Sequence, residues 1–76
     1  MSQWLVFEQS AHTGKTVIVQ VLSKQHGNIL GTIRWYGAWR QYAFYPVPDT
    51  LFNAGCLSDI EAHIRELMDV RSKEER

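Results

Sequence analysis

Two hydrophobic periods divide this chain. Through residue 46 apolar and polar positions tend to alternate, the pattern of strands with one buried face. Beyond residue 56 apolar residues recur three and four apart, the pattern of a helix. Alternation and β-branched content predict strands at about residues 4–9, 16–23, 29–36 and 39–45. The second is the clearest, with Thr16, Val17, Ile18, Val19 and Val21. Gly14 marks the first turn and Gly27-Asn28 the second. Gly37-Ala38, between the last two strands, fits a two-residue type II′ loop, whose twist suits a tight hairpin. Pro46 and Pro48 close the last strand, because neither can donate to a ladder.

A helix is predicted at about residues 57–73. Leu57, Ile60, Ile64, Leu67 and Met68 form one apolar stripe. Ser58 and Glu61 have capping-box spacing, and Glu61–Arg65 and Asp69–Lys73 are i,i+4 pairs for its wet side. The last five residues are expected to fray. The predicted fold is α+β: a single-domain, four-stranded antiparallel meander with one C-terminal helix on one face, ββββα.

A two-residue loop at Gly37-Ala38 sets Tyr36 opposite Trp39, Trp35 opposite Arg40, Arg34 opposite Gln41 and Ile33 opposite Tyr42. Opposed residues share a face. One face then holds Ile29, Gly31, Ile33, Trp35, Tyr42 and Phe44, with Arg40 at its tip. It is the more apolar and is the expected partner of the helix. Gly31 in its middle would allow close approach of a side chain or of the helix. The other face holds Leu30, Thr32, Arg34, Tyr36, Trp39, Gln41, Ala43 and Tyr45. No second helix is predicted to cover it.

Composition narrows the partners. The chain has 76 residues, eight basic and eight acidic, for a formal net charge of zero. That balance argues against a protein that coats duplex nucleic acid by charge alone. Residues 1–50 are mildly basic and residues 51–76 mildly acidic, a weak pointer to an anionic ligand near the first part. A domain this short buries only about 60% of its unfolded surface, so a homo-oligomer is expected. The single cysteine, Cys56, allows no internal disulfide. No secretory leader or membrane-length apolar run is read, so the expected location is cytoplasmic, with no membrane partner.

Little in the chain points to catalysis. The segment from His12 to Thr16 ends like a phosphate-binding loop, but Gln9 stands where its first glycine belongs and Lys15-Thr16 opens a strand. His12, His26 and His63 lie at no metal-ligand spacing, so no metal or cofactor is expected. Cys56 near a helix start would gain reactivity there. With no base nearby in sequence, it reads better as a buried small hydrophobe. No carboxylate pair stands out, and the chain is expected not to be an enzyme.

The candidate chemistry is binding. Residues 33–46 hold six of the nine aromatic residues, more than a small core needs. Arg34, Tyr36, Trp39, Arg40, Gln41 and Tyr45 form the candidate ligand-binding set. Rings stack on bases, guanidinium groups clamp phosphate, and Gln41 offers a donor and an acceptor to a base edge. Trp and Arg also dominate protein–protein hot spots. Arg40, on the core side near the tip, is expected to snorkel to water or pair with a carboxylate.

Leu30-Gly31, Ile33-Arg34-Trp35-Tyr36-Gly37, Trp39-Arg40-Gln41-Tyr42, Phe44 and Pro46, followed by Phe52-Asn53, Gly55-Cys56-Leu57 and Asp59-Ile60, resemble small uncharacterised proteins of phages and prophages. The resemblance covers roughly residues 30–68. It implies a phage context, hence a host cytoplasm, and by analogy a counter-defence role. Such a role would sequester a nucleotide-type signal or dock a host protein. A single-stranded nucleic-acid binder is the third reading.

Overall fold

A computed structural model of the chain describes residues 4–74. Four strands, β1 (Leu5–Thr13), β2 (Thr16–Ser23), β3 (Ile29–Tyr36) and β4 (Gln41–Pro46), are followed by one helix, α1 (Ala54–Glu74). The strands form one antiparallel sheet in the order β1-β2-β3-β4. The fold is the expected ββββα.

β1 runs to Thr13 rather than ending near residue 9. Its second half is too polar to show alternation, yet its backbone pairs with β2 on both sides of an irregularity at Ser10. Ser10 Oγ donates to the Ile18 carbonyl across that bulge (3.2 Å). A bulge exchanges the faces beyond it. Gln9, opposite Val19, and His12, opposite Val17, therefore both face the helix side.

β2 and β3 span the expected residues. A second irregularity places Leu22 opposite Ile29 and Val21 opposite Gly31, with Leu30 the extra residue. This reverses two expected positions. Leu30 packs against the core, and Ile29 is 45% exposed.

The last hairpin does not have the expected two-residue loop. Its closing pair is Tyr36 opposite Gln41, so four residues, 37–40, make the connection and β4 starts at Gln41. Trp39 N–H donates to the Tyr36 carbonyl and Arg40 N–H to the Gly37 carbonyl (both 3.2 Å). Arg40 then turns the chain with a φ of 55°, a conformation costing a non-glycine residue about 1–2 kcal/mol. Successive i→i+3 bonds of this kind build four-residue hairpin loops. The glycine-first turn occurs instead at Gly14-Lys15, where Gly14 has a φ of 61° and Thr13 pairs with Thr16. In β3–β4 the register is shifted by two residues, setting Trp35 opposite Tyr42 and Ile33 opposite Phe44. A two-residue shift returns each side chain to its own face, so the expected two-faced division survives the wrong turn.

The helix starts at Ala54, three residues before the expected position. Asn53 is its cap: Asn53 Oδ1 accepts from Cys56 N–H (2.8 Å), and the Asn53 carbonyl accepts from Leu57 N–H (3.0 Å). Ser58 and Glu61 thus lie inside the helix and form no capping box. Glu61 instead pairs with Arg65 (3.0 Å). The buried stripe runs through Cys56 and Ile60 to Ile64, Leu67 and Met68. Leu57 falls to its flank and is 52% exposed.

The core lies between α1 and the sheet face of Leu5, Val19, Val21, Ile33 and Tyr42. Each such side chain contributes on the order of 1.5–3 kcal/mol by leaving water. Trp35 and Phe44 flank this core half-buried, Trp35 edge-on to Tyr42 (5.4 Å) and Phe44 edge-on to Phe52 (5.2 Å).

Candidate functional site

The sheet face turned away from α1 carries the alternate residues of each strand. Val6 and Glu8 come from β1, Ile18, Gln20 and Leu22 from β2. Thr32, Arg34 and Tyr36 come from β3, and Ala43 and Tyr45 from β4. Glu8, Gln20, Thr32 and Tyr45 form one cross-strand row. Ile18, Leu22 and Tyr45 are half-buried by their neighbours, while Val6, Ile29 and Tyr36 are exposed. Exposed apolar residues thus mix with the polar side chains of Glu8, Gln20, Thr32 and Arg34 across this face.

Two ring contacts organise the β3–β4 side of that face. The Arg34 guanidinium lies over the Tyr45 ring at 4.4 Å. The rings of Tyr36 and Trp39 meet edge to face at 4.8 Å. The four-residue loop carries Trp39 clear of the ladder, and the Tyr36 ring holds it there. Trp39 is 65% exposed and Tyr36 38% exposed, so each ring keeps open area for a further stacking partner. Arg34 is itself exposed, so its N–H donors remain open to solvent.

Four of the six candidate residues, Arg34, Tyr36, Trp39 and Tyr45, are thus brought together as two contacting pairs. Gln41 sits opposite Tyr36 at the edge strand and also borders a groove of about 690 Å³ between β4 and α1, with Phe44, Leu57 and Ile64. Arg40 does not join the four. It is exposed and borders a cleft on the helix side with Trp35, Met68 and Arg71.

The helix-side aromatic cluster contains two polar residues outside the candidate set and outside the predicted apolar stripe, Arg71 and His63. The Arg71 guanidinium lies over Trp35 at 4.1 Å, continuing the helix stripe one turn past Met68. His63 stacks on Phe7 with ring centroids 4.4 Å apart and planes 4° from parallel. Burial pushes the His63 pKa below its ordinary value, partly opposed by Glu66 at 4.0 Å. Helical spacing from Ile60 and Ile64 points to both, but a polar residue scores against an apolar stripe. Cys56 is buried in the first turn of α1, as the hydrophobe reading expects.

Among the described residues, no group of three or more His, Cys, Asp or Glu side chains is placed to hold a metal ion. No described helix is long and apolar enough to cross a membrane.

No protein-family model and no solved structure matches the chain. A curated protein does: the uncharacterised 9.3 kDa protein of Acholeplasma phage L2 is 32% identical over 73 residues, covering 95% of this chain and 94% of that one. A match of that identity across nearly both full lengths reaches every strand and the helix. This chain belongs to the same family as that phage protein.

Proposed function

We propose that this protein is a non-enzymatic binder of a nucleotide-type ligand, working through the open sheet face around Trp39. The observation that carries this reading is the pairing of two exposed rings, Tyr36 and Trp39, with an arginine already stacked on Tyr45. A base stacks on Trp39 or Tyr36 for about 1–3 kcal/mol. Arg34 takes a phosphate oxygen, and Gln41 at the strand edge meets a base or ribose.

On one chain this face is open on its outer side, so a small ligand is enclosed only when a second copy covers it. The accessible surface is 5525 Å², whereas a folded chain of 8.8 kDa averages about 4800 Å². A chain that exposes more surface than a monomer of its mass averages supports a homo-oligomer as the working form, and sedimentation should then give a mass of at least twice that of the chain. A monomer at all concentrations removes this part of the proposal.

Family membership supports the setting. A phage gains from a small protein that sequesters a nucleotide signal of its host's defence, and such a protein needs affinity rather than catalysis. Isothermal titration with a panel of cyclic nucleotides tests the reading. Binding of at least one is expected; no heat from any at concentrations on the order of tens of micromolar would sink it.

A further inference from the structure

We propose that a second copy of this chain pairs with the outer edge of β1, antiparallel about Phe7, to make one continuous sheet. The phase of the ladder shows which backbone groups that edge presents. In β2, Val17 N–H donates to the Tyr42 hydroxyl (3.1 Å) and Ser23 N–H to the Asn28 carbonyl (2.9 Å), both away from β1. Lys24 N–H donates toward β1, to the Trp4 carbonyl (3.0 Å). Residues along an antiparallel ladder alternate in the side to which they bond, so Val17, Val19 and Val21 all turn their backbone groups away from β1. Their β1 partners are His12, Gln9 and Phe7. The N–H and C=O groups of Phe7 and Gln9 therefore point outward. Among the described residues, no backbone hydrogen bond outside the ladder reaches them.

The two edges of the sheet differ. β4 has only six residues and is guarded: Tyr42 N–H donates to Met68 Sδ (3.4 Å), and Pro46 has no N–H to offer. β1 has nine residues, and the bulge at Ser10 interrupts its second half. Its first half, Leu5 to Gln9, holds neither proline nor lysine. Val6, 37% exposed, and half-buried Phe7 lie along it. An exposed apolar edge without such guards is a template for another strand.

The edge is complementary to itself. A two-fold contact sets one patch against the same patch. Centred on Phe7, the pairing joins the two Phe7 backbones by a reciprocal pair of hydrogen bonds. Gln9 N–H then meets the partner's Leu5 carbonyl, an acceptor with two lone pairs. Glu8 falls opposite the partner's Val6, whereas a centre on Glu8 would set two like charges face to face. The two Phe7 rings come side by side on the helix side. Edge pairing leaves the open face uncovered, so it is a separate contact from the covering of that face.

The test is sedimentation of the full chain and of Gln9→Pro. Proline is tolerated where the lost N–H points out of an edge strand, so the fold should persist while the sedimenting mass halves. In a mixture of isotopically labelled and unlabelled chains, a nuclear Overhauser contact is expected between Val6 Hα and the partner's Glu8 Hα. Val6→Glu sets like charges opposite each other and should give a dissociation constant roughly threefold or more above that of Val6→Lys. The proposal is overturned by a native chain that stays monomeric, by an unchanged mass in folded Gln9→Pro, or by equal constants for the two Val6 variants. Intermolecular contacts confined to Trp39 and its neighbours overturn it too, since they put the second copy on the open face alone. Should Gln9→Pro lose its fold, the two Val6 variants decide. Arg34, Tyr36, Trp39 and Tyr45 lie outside β1, so an unchanged mass in Gln9→Pro would leave the ligand reading of the open face standing.

Discussion

Gly31 lies directly under the ring of Phe44. A Cβ placed on it would come within 2.6 Å of Phe44 Cε1 and Cζ and 2.7 Å of the Tyr45 carbonyl oxygen. The ring could swing away at the expense of the Phe44–Phe52 contact, but the neighbouring strand's backbone cannot. Gly31→Ala should therefore cost about 1–3 kcal/mol of stability, read as a lower urea midpoint. Close approach at this glycine was legible from an apolar strand interrupted by the smallest residue. Which ring fills the space was not, because that depends on the β3–β4 register. His63 gives a second residue-scale prediction. In the unfolded chain it titrates near its ordinary value of about 6.5, and in the fold burial against Phe7 holds it lower, with Glu66 opposing. The unfolded chain therefore binds the proton first, and stability falls as pH drops through that ordinary value toward the folded one, then levels off. Urea unfolding at a series of pH values should show this loss, and His63→Phe should flatten it in that window.

At the scale of the elements, the helix start is where local pattern and tertiary packing competed. Ser58 and Glu61 have the spacing of a capping box, yet Asn53 is the residue whose Oδ1 meets the Cys56 N–H. Starting at Ala54 adds one turn and puts Cys56 into the core. Burial of Cys56 in that turn offsets the helix penalty of Gly55, about 1 kcal/mol. Asn53→Ala should destabilise by about 1 kcal/mol, measured by thermal or urea unfolding, while Ser58→Ala should leave the midpoint nearly unchanged. The hairpin teaches a similar lesson. Gly37-Ala38 offered a two-residue turn, but the chain closes over four residues and lets Arg40 adopt the left-handed conformation. That closure sets Trp35 against Tyr42 and Ile33 against Phe44, a gain in core contact that offsets the strain. The faces were legible because the two registers differ by an even number. The bulges at Ser10 and Leu30 were not, since neither interrupts the apolar alternation in a recognisable way, and they exchanged Ile29 with Leu30 and turned His12 toward the helix.

At the scale of the whole molecule, the described residues hold one helix for a sheet with two sides. One side becomes the core; the other keeps Arg34, Tyr36, Trp39 and Tyr45 together in open contact pairs. That much of the candidate site followed from counting rings against a core too small to hold them. Arg40 borders a helix-side cleft instead, on the side where strand alternation already puts it. The proposed binding runs through Trp39, a side chain the fold itself uses little. The most direct measurement is isothermal titration of the native chain and Trp39→Ala, side by side, with the cyclic nucleotide panel. Heat from at least one nucleotide, abolished in a variant whose melting temperature is unchanged, is the predicted result. No heat from the native chain, or equal affinity in both, would contradict the account.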